Sequence, residues 1–180
     1  CSHCGAPQAS TTEERRIVTV LFADIVGFTS LAEGMDPEDV KHLVDRAFER
    51  LARDIRAFGG AVDKVLGDGI IALFGAPIAH EDDAERAVRA ALRMQETIAS
   101  LNDAGPRIRM RIGLNTGEVL VGTTTAGGDY TAMGDVMNSA QRLQTLADPG
   151  QTLVGAATRN ATGDAIAYLP AGEMTARGRE

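Results

Sequence analysis

Three short segments hold acidic, amide and cationic side chains at spacings suited to a phosphorylated substrate. In Phe22-Ala23-Asp24-Ile25-Val26-Gly27-Phe28-Thr29-Ser30 an apolar run delivers an acid, and the chain then turns through Gly27. Backbone N–H groups in such a turn can hold phosphate oxygens, while Asp24 holds a cation bound to the same phosphate. In Asp63-Lys64-Val65-Leu66-Gly67-Asp68-Gly69 a second carboxylate stands at a glycine-flanked tip, with Lys64 four positions before it. In Met133-Gly134-Asp135-Val136-Met137-Asn138-Ser139-Ala140-Gln141-Arg142, Asn138 and Arg142 are four apart and share one face of a helix. Taken singly, each has a plainer reading: a turn or helix-capping Asp24, an ordinary Gly-Asp-Gly turn, a solvated helix face.

The elements that must position these groups follow from periodicity. Ile17 to Ala23 is a β-branched, apolar run typical of a buried strand, ending at Asp24. Asp36-Pro37-Glu38-Asp39 starts a helix whose apolar residues recur at Val40, Leu43, Val44, Ala47, Phe48, Leu51, Ile55 and Phe58, until Gly59-Gly60 stops it. Ala61 to Leu66 and Ile70 to Phe74 form a hairpin with Asp68 at its tip. Glu81 to Leu101 repeats the helical period through Ala84, Ala87, Val88, Ala91, Leu92, Ile98 and Leu101, and Asn102 to Pro106 breaks it. Ile108 to Leu114 and Glu118 to Val121 read as strands, Gly127 to Asp129 as a loop, and Val136 to Leu146 as a helix with Ala140, Leu143 and Leu146 inward. From Gln151 the tail is weakly β. The pattern predicts an α+β fold of the ferredoxin-like kind, with helices on one face of a mostly antiparallel sheet. The opposite face must then be solvated or meet a partner, which raises a dimer.

A length of 180 residues, 44% of them apolar, fits one core and one domain. Eighteen basic against 25 acidic residues, a net charge of -7 and no Lys/Arg run argue against nucleic acid as a partner. No apolar run approaches the roughly 20 residues that span a bilayer, and the start lacks the zones of a signal peptide, so a cytoplasmic setting is expected. Cys1-Ser2-His3-Cys4 matches half of a zinc ribbon and cannot alone supply four ligands. Residues 1–14 are expected to be a flexible lead-in, a ribbon remnant, and residues 15–180 the functional domain. The first residue is not Met and the end is polar, so a piece of a longer, multidomain protein is expected.

From about Arg16 to Pro149 the chain closely resembles the class III nucleotidyl cyclases. The resemblance rests on Val20 to Thr29, Lys64 to Gly69, Arg111-Ile112-Gly113-Leu114-Asn115-Thr116-Gly117 and Tyr130 to Asn138. It implies the class III cyclase fold and conversion of ATP to cyclic AMP and pyrophosphate. Position by position, Asp24 and Asp68 match two metal-binding aspartates and the Ile25 carbonyl a backbone ligand, for two Mg2+ or Mn2+ ions. Gly27, Phe28 and Thr29 match the phosphate-holding turn, Asn138 the residue that orients the ribose, and Arg142 the one that stabilises the transition state. Arg111 matches a phosphate contact, although a strand arginine in a surface ion pair would look the same. Arg177 or Arg179 matches a basic residue that reaches the γ-phosphate.

Lys64 and Thr131 match the pair that reads the base. Adenine offers an acceptor ring nitrogen to the Lys64 ammonium and an amino donor to the Thr131 hydroxyl. Guanine reverses both, and the unpaired arrangement costs about 1–3 kcal/mol, so ATP is expected over GTP. Many family members carry Asp where this chain has Thr131. In the family the metal acids come from one subunit and the base, ribose and transition-state residues from the other, so a homodimer with two shared sites is implied. Two rivals stay open: a catalytically silent nucleotide-binding regulatory domain, and a metal phosphohydrolase.

Overall fold

A computed structural model describes residues 14–26, 36–102, 108–123 and 130–171. Strand β1 (Glu14–Val26) begins before the apolar run because its backbone pairs with β4 from Glu14, opposite Val121, onward. Helix α1 (Pro37–Ala57) is capped by the Asp36 side chain, which accepts from the Glu38 N–H at 2.9 Å. It buries Val40, Leu43, Ala47, Phe48, Leu51 and Ile55, the predicted stripe, and the chain leaves it through Gly59 at a φ of 83°. The hairpin β2 (Ala61–Leu66) and β3 (Gly69–Phe74) turns through Gly67 at a φ of 60°, where a side chain would be strained. Helix α2 (Asp83–Leu101) follows. Strand β4 (Arg109–Thr123) is continuous where two strands were expected, since Thr116 and Gly117 keep the register with Thr19 and Val18.

Next come β5 (Tyr130–Met133) and α3 (Asp135–Leu146). The tail, expected to be weakly β, gives only the three residues of β6 (Thr152–Val154), then α4 (Ala156–Thr162) and a 3-10 turn, Gly163–Ala165. The sheet order is β2-β3-β1-β4-β5, antiparallel throughout, with β6 added parallel to β4. No helix among the described residues is long and apolar enough to cross a membrane.

Alternation along β1 divides the core in two. Leu21, Ala23 and Ile25 point to α1 and α2 together with Ile70, Ala72, Phe74, Met110, Ile112 and Leu114. Val18 and Val20 point the other way with Ile71, Leu73 and Val119, and there they meet Val136 and Ala140 of α3. The expectation that all helices share one face is therefore corrected: α3 lies on the face opposite α1 and α2. It can do so because Gly113 has no side chain, and a Cβ there would fall into the backbone of Ala140 and Gln144. Gly117 gives similar room to Val136, whose Cγ2 would lie 2.6 Å from an added Cβ. Two predicted core residues are also corrected. Leu92 is 48% and Leu146 41% exposed, because the buried stripes run through Ala84, Ala87, Ala91, Met94 and Ile98 in α2 and through Val136, Ala140 and Gln144 in α3.

Candidate active site

The face that α3 only partly covers carries the predicted chemistry. Asp24 lies on the same side of β1 as Val18, Val20 and Phe22, and it pairs across the ladder with Gly69 of β3 and Arg111 of β4. The next residue ties the second acid in: the Ile25 N–H donates to the Asp68 carbonyl at 3.0 Å. The two aspartates thus leave the chain from adjoining ends of neighbouring strands. The Asp68 side chain, half-buried at the hairpin tip, makes no hydrogen bond among the described residues.

Asp24 is already engaged. Its Oδ2 accepts from Arg111 Nη2 at 2.8 Å and from Gln144 Nε2 at 3.4 Å. Arg111 is a floor residue of the interior strand β4, with 29% of its side chain exposed against 24% for Asp24. Its Nε is buried and has no hydrogen-bond partner among the described residues. Gln144 was not found in the sequence. The available signal was its place at i+4 from Ala140 on the inward stripe of α3, where a polar residue needs a partner.

Lys64 sits on β2, opposite Ile71, and therefore on the same face as Asp24. The ladder slips between Val62 and Lys64, leaving Asp63 as an extra residue. Adjacent residues in a regular strand point to opposite faces, whereas this bulge lets the Asp63 carboxylate reach Lys64 Nζ at 3.0 Å. The Asp63 side chain is 1% exposed and that of Lys64 42%, so a buried anion anchors a reachable ammonium. Sequence reasoning missed Asp63, because a bulge has no residue signature here. Lys64→Met is expected to lower unfolding free energy by about 1–3 kcal/mol, since it strands a buried carboxylate, and Asp63→Asn in the same chain should recover most of that. Denaturant midpoints of the single and double variants check it; equal stability of Lys64→Met and the parent would disprove the anchoring.

Asn138 and Arg142 lie on the opposite side of α3 from its buried stripe. Each is two residues from a stripe position, about 200° around the helix, and both are exposed. Neither makes a hydrogen bond among the described residues. One helix therefore turns Gln144 toward its own Asp24 and Asn138 and Arg142 away from it. Thr131 lies on β5, its backbone paired with Gly122, at the opposite edge of the sheet path from Lys64. The structure thus brings Asp24, Asp68 and Arg111 together and leaves Asn138 and Arg142 facing outward. Gly27, Phe28, Thr29, Arg177, Arg179, Cys1 and Cys4 lie outside the described residues.

Residues 10–180 match the family model of the adenylate and guanylate cyclase catalytic domain. The chain belongs to the class III nucleotidyl cyclase family. It is 34% identical over 174 residues to "Adenylate cyclase 1" of Rhizobium meliloti, a match that covers 92% of this chain and 26% of that protein. The chain thus spans about a quarter of that relative's length. Among solved structures, the adenylyl cyclase CyaB from P. aeruginosa is similar at a TM-score of 0.88 and 29% identity, covering 93% of this chain and 91% of that one. The guanylyl cyclase Cya2 is similar at 0.87 and 34%, covering 93% and 89%. Relatives named for either base thus fit this cyclase domain about equally well.

The divalent ions that the cyclase family implies can be tested against the donors present. Asp24, Asp68 and the Ile25 carbonyl offer oxygen only, the chemistry of hard cations. Among the described residues no three His, Cys, Asp or Glu side chains gather, so an ion here would complete its shell with water and phosphate oxygens, as Mg2+ commonly does. Arg111 already places a positive group on Asp24. The cyclase's donor set fits a substrate-borne divalent ion.

Proposed function

We propose that this domain is an adenylyl cyclase that converts ATP to 3′,5′-cyclic AMP and pyrophosphate, at sites shared between two copies of the chain. The observation that carries the reading is the two-sidedness of α3: its buried side reaches Asp24 through Gln144, with Asp68 on the adjoining hairpin tip, while Asn138 and Arg142 point outward from the helix. A second copy related by a two-fold axis supplies to each pair of acids the helix face that its own chain turns away. ATP as substrate is consistent with work in the cytoplasm.

Asp24, Asp68 and the Ile25 carbonyl would hold two Mg2+ or Mn2+ ions. Such ions, when bound, lower the pKa of the ribose 3′-hydroxyl and neutralise charge on the triphosphate. The 3′-oxygen gives its proton to solvent water and bonds to the α-phosphorus, while the bond from that phosphorus to the bridging oxygen breaks and pyrophosphate leaves. Lys64, aimed by Asp63, donates to the adenine ring nitrogen, and the Thr131 hydroxyl accepts from the amino group. Asn138 orients the ribose. Arg142 offsets charge on the pentavalent phosphorus, where a fixed cation contributes a few kcal/mol. Backbone N–H groups of Gly27, Phe28 and Thr29 hold phosphate oxygens, with Arg111 as a further phosphate contact.

Product formation from ATP and from GTP, at high protein concentration with Mn2+ and then Mg2+, tests this directly. Cyclic AMP with pyrophosphate, and about 5- to 150-fold less cyclic GMP, is the expected result, since the mismatch at Lys64 costs about 1–3 kcal/mol. ADP with phosphate would replace the reading with a phosphohydrolase. ATP binding without product at every protein concentration would replace it with a silent regulatory domain.

A further inference from the structure

We propose that Arg111 is a built-in competitor for the metal ion at Asp24, which keeps free divalent ions out until they arrive with the nucleotide. The inference rests on reading Asp24 as a metal ligand. Arg111 stands directly opposite Asp24 in the β1–β4 register, and its Nη2 is 2.8 Å from Oδ2. The Gln144 amide donates to the same oxygen, so two of the chain's own groups occupy it. A guanidinium and a divalent ion held by the same carboxylate repel each other as like charges, so each weakens the other's hold on Asp24.

The arginine is suited to leaving. Its Nε is buried without a partner among the described residues, a cost that a second position on a phosphate oxygen would remove. Release from Asp24 and capture by the triphosphate are then one movement. A metal–nucleotide complex supplies both the replacement cation and the new acceptor, whereas a bare ion supplies only the first. The coupling is reciprocal: nucleotide tightens the metal, and metal tightens the nucleotide.

Mn2+ binding to the intact chain, followed by the loss of the free-ion electron paramagnetic resonance signal, tests this without turnover. Arg111→Gln is expected to bind Mn2+ about tenfold more tightly than the parent when no nucleotide is present, equivalent to about 1.4 kcal/mol. The tightening caused by a non-cyclising ATP analogue should shrink in that variant by a similar factor. An Arg111→Gln affinity equal to or weaker than the parent's overturns the proposal. Asp24→Asn separates the two readings: it must weaken Mn2+ binding in both backgrounds, and unchanged binding would refute Asp24 as a metal ligand and the competition with it. If Arg111→Gln does not fold, the parent decides. The 15N-detected Arg111 Nε–H resonance must shift on adding Mg2+ with the ATP analogue, and an unmoved resonance overturns the exchange.

Discussion

Chains carrying Asp24→Asn and chains carrying Arg142→Ala, each reduced at least about a hundredfold in cyclic AMP formation, will regain about a quarter of parental activity when mixed in equal amounts. The fraction follows from the two-fold arrangement. Random exchange makes half of the dimers mixed, and each mixed dimer has one site with intact acids facing an intact helix and one site damaged twice. Asn is the better replacement at position 24 because it keeps an acceptor for Arg111 and Gln144, so the floor of the site survives while the charge is lost. Arg142 is exposed, and its removal leaves the packing of α3 unchanged. Activity of each variant and of the mixture, read against total chain concentration, checks the expectation. Exchange without recovery would mean that each chain completes its own site.

Gly113→Ala is expected to cost about 3 kcal/mol or more of stability, and with it most of the activity. The added methyl would meet main chain, of Ala140 and Gln144, rather than a flexible side chain, so no rotamer change relieves it. Either α3 lifts off β4 or the strand bends. Lifting α3 breaks the Gln144 contact to Asp24 and moves Asn138 and Arg142 on the other surface of the helix. For a chain of this size the loss corresponds to a melting temperature lower by roughly 6–12 °C. A variant that melts within a degree or two of the parent would show that the helix is not seated on this glycine.

These two cases also show how far the sequence could be read. α1, α2 and the β2–β3 hairpin were legible because each has an uninterrupted period and a clear stop, such as Gly59-Gly60 or Gly67-Asp68-Gly69. The two acids drew attention because Asp24 closes an apolar run and Asp68 stands between two glycines, although β1 runs two residues past Asp24, to Val26. The side of the sheet that α3 takes was not, since what admits it is the absence of a side chain at Gly113, and an empty space leaves no pattern. The inward stripe of α3 was misjudged for a related reason: the exposed Leu146 read as core, whereas the buried Gln144, being polar, drew no attention. Asp63 escaped notice because its reach to Lys64 depends on a one-residue slip of the ladder, which hydrophobic alternation does not report. Arg111 was visible as a residue and ambiguous as a role, and its partner emerged only with the register of β1 on β4.

Helix α3 has a working surface on each side and little neutral ground between them. In the proposed dimer, a substitution along Val136, Ala140 or Gln144 would alter the seat of the helix beside its own acids and, through the rigid rod, the aim of Arg142 at the acids of the other copy. Such a change is felt twice by every molecule. The two sites then cannot drift apart in rate or in choice of base, and a gene encoding this one chain would maintain a matched pair through selection on either site alone.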